Sequence, residues 1–226
     1  METTLGEQLL LLSLDDESGV ERESAKVALA IGAASLVELA LARRIAIDAD
    51  GVVSVTDPAE SGPAPVGPPH LEAALDAVTA RKKPGKVAHW IEALKKDAVA
   101  AAGKGLVDKG LVRAETKKVL GLFPVRRYPE ADGSVEAAVR ERLSAAVLRG
   151  ASPDERTASL IALLHGAGLA RLAFPTDDES RVEAAMAEIA EGRWAAPAVR
   201  RAVEAAQLAL TTIITTAVVT SVVVGT

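Results

Sequence analysis

The segment SAKVALAIGAASLVELALARR, from Ser24 to Arg44, repeats apolar residues at helical spacing, which predicts a helix from Ser24 to about Ala42. Similar spacing returns in HLEAALDAVTARKK, SVEAAVRERLSAAVLRG, TASLIALLHGAGL and RVEAAMAEIAEG. Alanine is the best helix former, so a mostly helical chain follows. A chain of 226 residues is long enough to bury a proper core. The expected fold class is mainly α: a single compact multi-helix domain over residues 1–226, with one or two small β-hairpins.

Local signals fill in this outline. Thr4-x-x-Glu7 is a capping box that opens a short helix, and Ser152-Pro-Asp-Glu155 and Thr176-x-x-Glu179 repeat the device. The stretch RIAIDADGVVSVTD alternates on either side of Asp48–Gly51, which predicts a hairpin. Residues 57–69 hold five prolines and read as an exposed loop. KPGKVAHWIEALKKDAVAAAGKGLVDKG reads as helical with a break near Lys96 or Gly103. A second hairpin is expected over residues 111–129, with strands at Leu111–Glu115 and Leu122–Tyr128 and a turn across Lys117–Gly121.

That second hairpin carries an unusual sequence, VLGLFPVRRYP. Aromatic residues make up 2% of the chain, yet Phe123 and Tyr128 both fall here. The stretch also lies in the most basic part of the molecule. Between Arg81 and Tyr128 there are thirteen basic and four acidic residues, a local charge of +9 in a chain whose total is −5, so the remainder carries −14. A basic segment in an acidic protein points to an anionic partner, either phosphate head groups or nucleic acid.

The residues of familiar chemistry are sparse. With no cysteine there is neither a disulfide framework nor a thiolate nucleophile. His70, His89 and His165 lie far apart, in no metal-ligand spacing, and His165 reads as a helix-end or core residue. LDDESG lacks the spacing of a calcium loop and reads as a turn, while TDDES reads as a helix start. There is no glycine-rich phosphate loop and no nucleophile elbow. No catalytic residue, metal site or cofactor is assigned. Trp90 and Trp194 are read as core anchors.

The ends are read as follows. The N-terminal stretch lacks the basic start and small-residue cleavage site of a signal peptide. After Glu204 no charge occurs through Thr226, and the apolar run approaches the length that spans a bilayer. Thr211, Thr212, Thr215 and Thr216 nevertheless share one helical face, opposite Ile213, Ile214, Ala217 and Val218. Residues 205–226 are therefore open between a core or groove helix and a tail anchor.

An ordered set of segments resembles the Golgi phosphoprotein 3 family: LLLLSLDDESG, ASLVELALARRIAI, VAHWIEAL, GLVDKGLV and SPDERTASLIALLHGAGL. Order and spacing agree from about Thr4 to Leu210, and the alanine-rich composition reads as that of a bacterial member. The resemblance implies a mostly α-helical domain with a β-hairpin whose hydrophobic tip dips into a bilayer. It implies a peripheral membrane protein of the cytoplasmic face that binds phosphatidylinositol 4-phosphate and holds protein tails. The family's head-group pocket uses a tryptophan and three arginines. Carried onto this chain, the tryptophan falls on Glu23 and the arginines on Gly32, Lys96 and Val99, so only Lys96 keeps its charge.

The leading expectation is thus a non-catalytic peripheral membrane module that binds anionic phospholipid. Lys95, Lys96, Lys117, Lys118, Arg126 and Arg127 would meet head groups, and Val119, Leu120, Leu122 and Phe123 would insert. Two readings stand beside it. One is a winged-helix-like nucleic-acid binder, although AVAAAGKGLVDKG offers no Asn, Gln or Arg to read base edges. The other is an adaptor that grips basic or apolar protein tails.

Overall fold

The computed structural model describes residues 2–15, 17–57, 67–119, 123–192 and 195–224. Helices dominate: α1 (Leu5–Ser13), α2 (Ser24–Leu41), α3 (Pro69–Ala80), α4 (Val87–Asp108), α5 (Ser134–Val147), α6 (Glu155–Gly166), α7 (Ala170–Ala173), α8 (Glu179–Glu191) and α9 (Pro197–Val224). The strands β1 (Ile45–Ile47), β2 (Val52–Val55) and β3 (Gly85–Lys86) form one antiparallel sheet in that order. Strands β4 (Glu115–Val119) and β5 (Phe123–Arg127) form a separate hairpin. The expected mainly α class with two small hairpins is what the chain adopts. The first hairpin gains a third strand, because Gly85 pairs with Val53.

The core is organised around α2. Every residue from Ile31 to Ala40 is buried, which suits a helix that is apolar on all sides. By length and composition α2 could cross a membrane, but 72% of its apolar window is buried inside the globule. It is the core helix. Helices α1, α4 and α9 pack around it, with α6 behind.

Helix α1 is also buried at all nine positions, and this imposes a cost at its amino end. The capping box of Thr4 and Glu7 satisfies part of it, as the sequence predicts. Two long-range carboxylates do the rest. Glu38 of α2 accepts the Leu5 N–H at 2.7 Å and pairs with both terminal nitrogens of Arg156 at 2.9 and 2.8 Å. Glu7 accepts the Thr4 N–H at 2.8 Å and the Lys109 ammonium at 2.5 Å. His70 lies near these charges, and burial holds its imidazole below the ordinary value.

Some boundaries differ from expectation. Helix α4 runs unbroken through Lys96 and Gly103, because its close packing against α2 and the hairpin fills the space at the glycine. Strand β4 begins at Glu115 rather than Leu111, since Leu111 and Val112 are drawn into the core at 2% and 3% exposure. Lys117, Lys118 and Val119 pair with Val125, Pro124 and Phe123, so they belong to the strand rather than to a turn across Lys117–Gly121; residues 120–122 lie outside the described residues. The cap of α6 is Asp154, which accepts the Thr157 N–H, and the cap of α8 is Asp178, which accepts the Arg181 N–H. In both, a carboxylate next to the first helical residue replaces the expected hydroxyl two positions earlier, where the helix dipole rewards negative charge. The proline-rich stretch 58–66 lies outside the described residues, as does Trp194.

Replacing Arg156 by Ala leaves the buried Glu38 carboxylate without its counter-charge. Loss of one partner of a buried pair costs about 3–5 kcal/mol. Arg156 is itself partly exposed at 35% of its side chain, which places the expected loss near the lower bound. Urea denaturation of Arg156→Ala against the parent chain measures it.

Candidate functional site

The second hairpin is fixed to the body at its base. The Tyr128 N–H donates to the Gly19 carbonyl at 2.7 Å, and the Arg113 N–H donates to the Pro129 carbonyl at 2.9 Å. Val112 and Glu130 form a bridge that continues the ladder below β4 and β5. The Tyr128 ring sits on Gly103 of α4, where an added Cβ would lie 2.4 Å from the phenol oxygen. Only glycine leaves room for the ring. The hairpin base therefore joins the loop before α2 to the middle of α4.

Two buried polar groups at this junction have no hydrogen-bond partner among the described residues: Glu21 Oε1 and Arg127 Nε. Burial alone pushes the Glu21 carboxyl up to about 7. A fraction of this carboxyl therefore keeps its proton at neutral pH, which lessens its negative charge. Glu23 begins α2 in the left-handed conformation, with φ of 54°, and pairs with Lys26 at 3.0 Å.

The described cations of the 81–128 stretch are spread along the chain's length rather than gathered in one patch. Helix α4 has 22 residues, about 33 Å of length at 1.5 Å per residue. Arg81 lies at its amino end, stacked 5.5 Å from the Trp90 ring centroid and bonded to His89. Trp90 is 4% exposed, a core anchor as expected. At the carboxyl end, Lys104 pairs with Asp108 and Lys109 is engaged by Glu7. Lys95 pairs with Glu92 at 2.5 Å.

Three further cations of this stretch are Lys96, Arg126 and Arg127. Lys96 is exposed and makes no ion pair with a described residue; Arg126 is exposed and Arg127 is half-buried. Lys117, Lys118 and Val119 lie in β4, and Phe123 begins β5. Their side chains, and all of Leu120 and Leu122, lie outside the described residues. Lys26, Glu21 and the seat of Tyr128 on Gly103 escaped the sequence reading. Lys26 is the sole cation in the first turns of α2, which is the signal that could have found it.

The four positions that the family resemblance assigns to a head-group pocket can now be judged. Val99 is half-buried against the core. A Cβ at Gly32 would lie 2.7 Å from the Ile91 carbonyl oxygen, so α2 and α4 approach too closely there for any side chain. Glu23 offers a carboxylate where the family has an aromatic ring. Of the four, only Lys96 is an exposed cation.

Comparison with known proteins agrees with the resemblance. The profile of the family described as Golgi phosphoprotein 3 (GPP34) matches residues 5–206. Vacuolar protein sorting-associated protein 74 of Eremothecium gossypii is 30% identical over 207 residues, an alignment covering 77% of this chain. The chain spans about 62% of that relative's length.

Two outcomes follow from this geometry. Gly32→Arg, which supplies the family's residue, forces α2 away from α4; overpacking of this kind costs about 1–3 kcal/mol or more. The variant should lose stability on thermal melting and gain no preference for phosphatidylinositol 4-phosphate over other anionic lipids. The Glu21 carboxyl has a folded value of about 7, above its ordinary 4.5. Its stabilising contribution is complete below 4.5 and is lost as pH rises through 7. His70, with its value lowered, acts in the opposite sense in that window. The difference between Glu21→Gln and the parent isolates Glu21: the variant should gain relative stability from pH 4.5 to 7 and hold it above, read from melting temperatures across that range.

Proposed function

This chain belongs to the Golgi phosphoprotein 3 family, and on that premise we propose that it is a peripheral membrane module that binds anionic phospholipid. The observation that carries the reading is the attachment of the hairpin. Tyr128 holds the β4–β5 hairpin on Gly103 of α4, the same helix that exposes Lys96 without an ion pair to a described residue. Lys96, Arg126 and Arg127, with Lys95, Lys117 and Lys118, face head groups. Val119, Leu120, Leu122 and Phe123 enter the interface. Head groups are selected by charge rather than by the position of one phosphate, because Gly32 and Glu23 stand where a specific pocket needs an arginine and an aromatic ring.

Magnitudes support reversible attachment. Each cation near an anionic leaflet contributes about 1 kcal/mol. Burying a Leu or Phe side chain contributes roughly 1.5–3 kcal/mol when complete. Four cations and two inserted side chains suffice for micromolar partition and fall short of permanent anchoring. Binding, not turnover, is the activity of such a module. A nucleic-acid surface is less favoured, since the cations of α4 are separated along its length and Lys104 and Lys109 are engaged by internal ion pairs. The capture of protein tails is a further activity compatible with the family, with no groove here assigned to it.

Co-sedimentation with vesicles tests the proposal. Binding to phosphatidylcholine vesicles containing phosphatidylglycerol should exceed binding to phosphatidylcholine alone and should weaken as salt rises. Arg126→Ala with Arg127→Ala should lose about 2 kcal/mol, roughly thirtyfold in partition. Leu120→Asp with Phe123→Asp should lose more. Equal binding to both vesicle types, or unchanged binding by both variants, would overturn it.

A further inference from the structure

The loop before α4, RKKPGK, holds cations that the proposed site does not use. Arg81, Lys82, Lys83 and Lys86 are all exposed and make no ion pair with a described residue. Lys86 also lines a cleft with Asp48 and Asp50, which offset part of its charge.

This loop is pinned to the helix that follows it. Arg81 Nε donates to the Lys83 carbonyl at 2.9 Å, and Arg81 Nη1 donates to His89 Nε2. The guanidinium carbon lies 5.5 Å from the centroid of the Trp90 ring, a cation–π contact with a core residue. Gly85 completes the seat, because a Cβ there would lie 2.8 Å from Trp90 Nε1. Lys82 and Lys83 are therefore presented from an anchored loop.

The loop is also aligned with the hairpin along α4. His89, Lys96 and Gly103 recur at seven-residue spacing, which keeps residues on one helical face with a drift of about 20° per step. Arg81 is bonded to the first, the second is an exposed cation, and the third carries the Tyr128 ring and with it the hairpin. The line is about 21 Å long at 1.5 Å per residue. Between its ends this face exposes Ala93 and Ala100, which are too small to hold a flat surface away. Glu92, paired with Lys95, and Asp97 lie to either side of it.

We infer that the Arg81–Lys86 loop is a second head-group contact, so that α4 lies along an anionic membrane with the hairpin at one end and this loop at the other. This contact rests on the membrane reading above and adds Lys82 and Lys83, which that reading does not use. A single small anion cannot reach both ends of a line about 21 Å long. A bilayer surface, flat on this scale, meets both at once. The hairpin alone leaves the body free to pivot, and the second contact removes that freedom.

Vesicles of phosphatidylcholine with phosphatidylglycerol test this on the full chain. Lys82→Ala with Lys83→Ala should lose roughly thirtyfold in partition at low salt. Arg142→Ala with Arg181→Ala removes the same charge from exposed positions on α5 and α8. That pair should lose no more than about threefold, because charges held beyond a Debye length of the leaflet are screened. Both variants should keep the parent's circular dichroism spectrum. The chain has no cysteine, so Ala93→Cys takes a fluorophore at one place. On vesicle binding that label should become several-fold less open to quenching by acrylamide, and a label at Ala184→Cys, exposed on α8, should not change. A chain that sediments with vesicles while the label at 93 stays open, or whose two charge variants lose equally, overturns the inference and leaves the hairpin reading intact. Protection of the label without vesicles, growing with protein concentration, assigns the face to a second copy and overturns it as well. Absence of all sedimentation overturns both readings.

Discussion

The buried amino end of α1 is the constraint on which the structure depends. A helix buried at every residue must satisfy its first N–H groups without water. Glu7 serves one locally, and Glu38 reaches across from α2 to serve another. Each buried carboxylate then needs a cation, so Lys109 is drawn from beyond α4 and Arg156 from the start of α6. One capping problem thereby ties together four separate parts of the chain. Removing any cation leaves a charge in a poor solvent, which makes this network intolerant of single losses.

A second constraint is backbone proximity. Gly32 lets α2 lie against the Ile91 carbonyl, and Gly103 lets Tyr128 lie against α4. The first contact tightens the core and removes a side chain from the place where a head-group pocket would form. The second secures the hairpin. The same kind of close packing thus both seats the hairpin and leaves no room for a side chain at residue 32.

Much of the fold was legible in the sequence. Helix α2 followed from its apolar spacing, the Thr4–Glu7 cap from its motif, and the first hairpin from the alternation around Asp48–Gly51. The misses have local causes. β3 is too short to show a period, and it is defined only by the pairing of Gly85 and Lys86 with Val53 and Val52. Leu111 and Val112 looked like strand residues because they are apolar, yet burial claimed them for the core. At α6 and α8 two capping signals overlapped, and the nearer carboxylate prevailed. Of the site, the apolar-tipped hairpin with its arginines could be read, but not which of the basic residues remain available. Lys109 looks like Lys96 in the sequence; only Glu7, a neighbour in space, distinguishes it.

Composition and periodicity by themselves determined a mainly α chain, a buried central helix, a hairpin with an apolar tip and an uncharged C-terminal segment. These are properties of neighbouring residues, and local spacing records them. Tertiary structure alone decided which charges are paired, that one oxygen of the half-buried Glu21 is covered and its carboxyl pushed up, and where α9 stops being core. Those depend on which distant segments meet, and burial and electrostatic pairing are set by that meeting rather than by order along the chain.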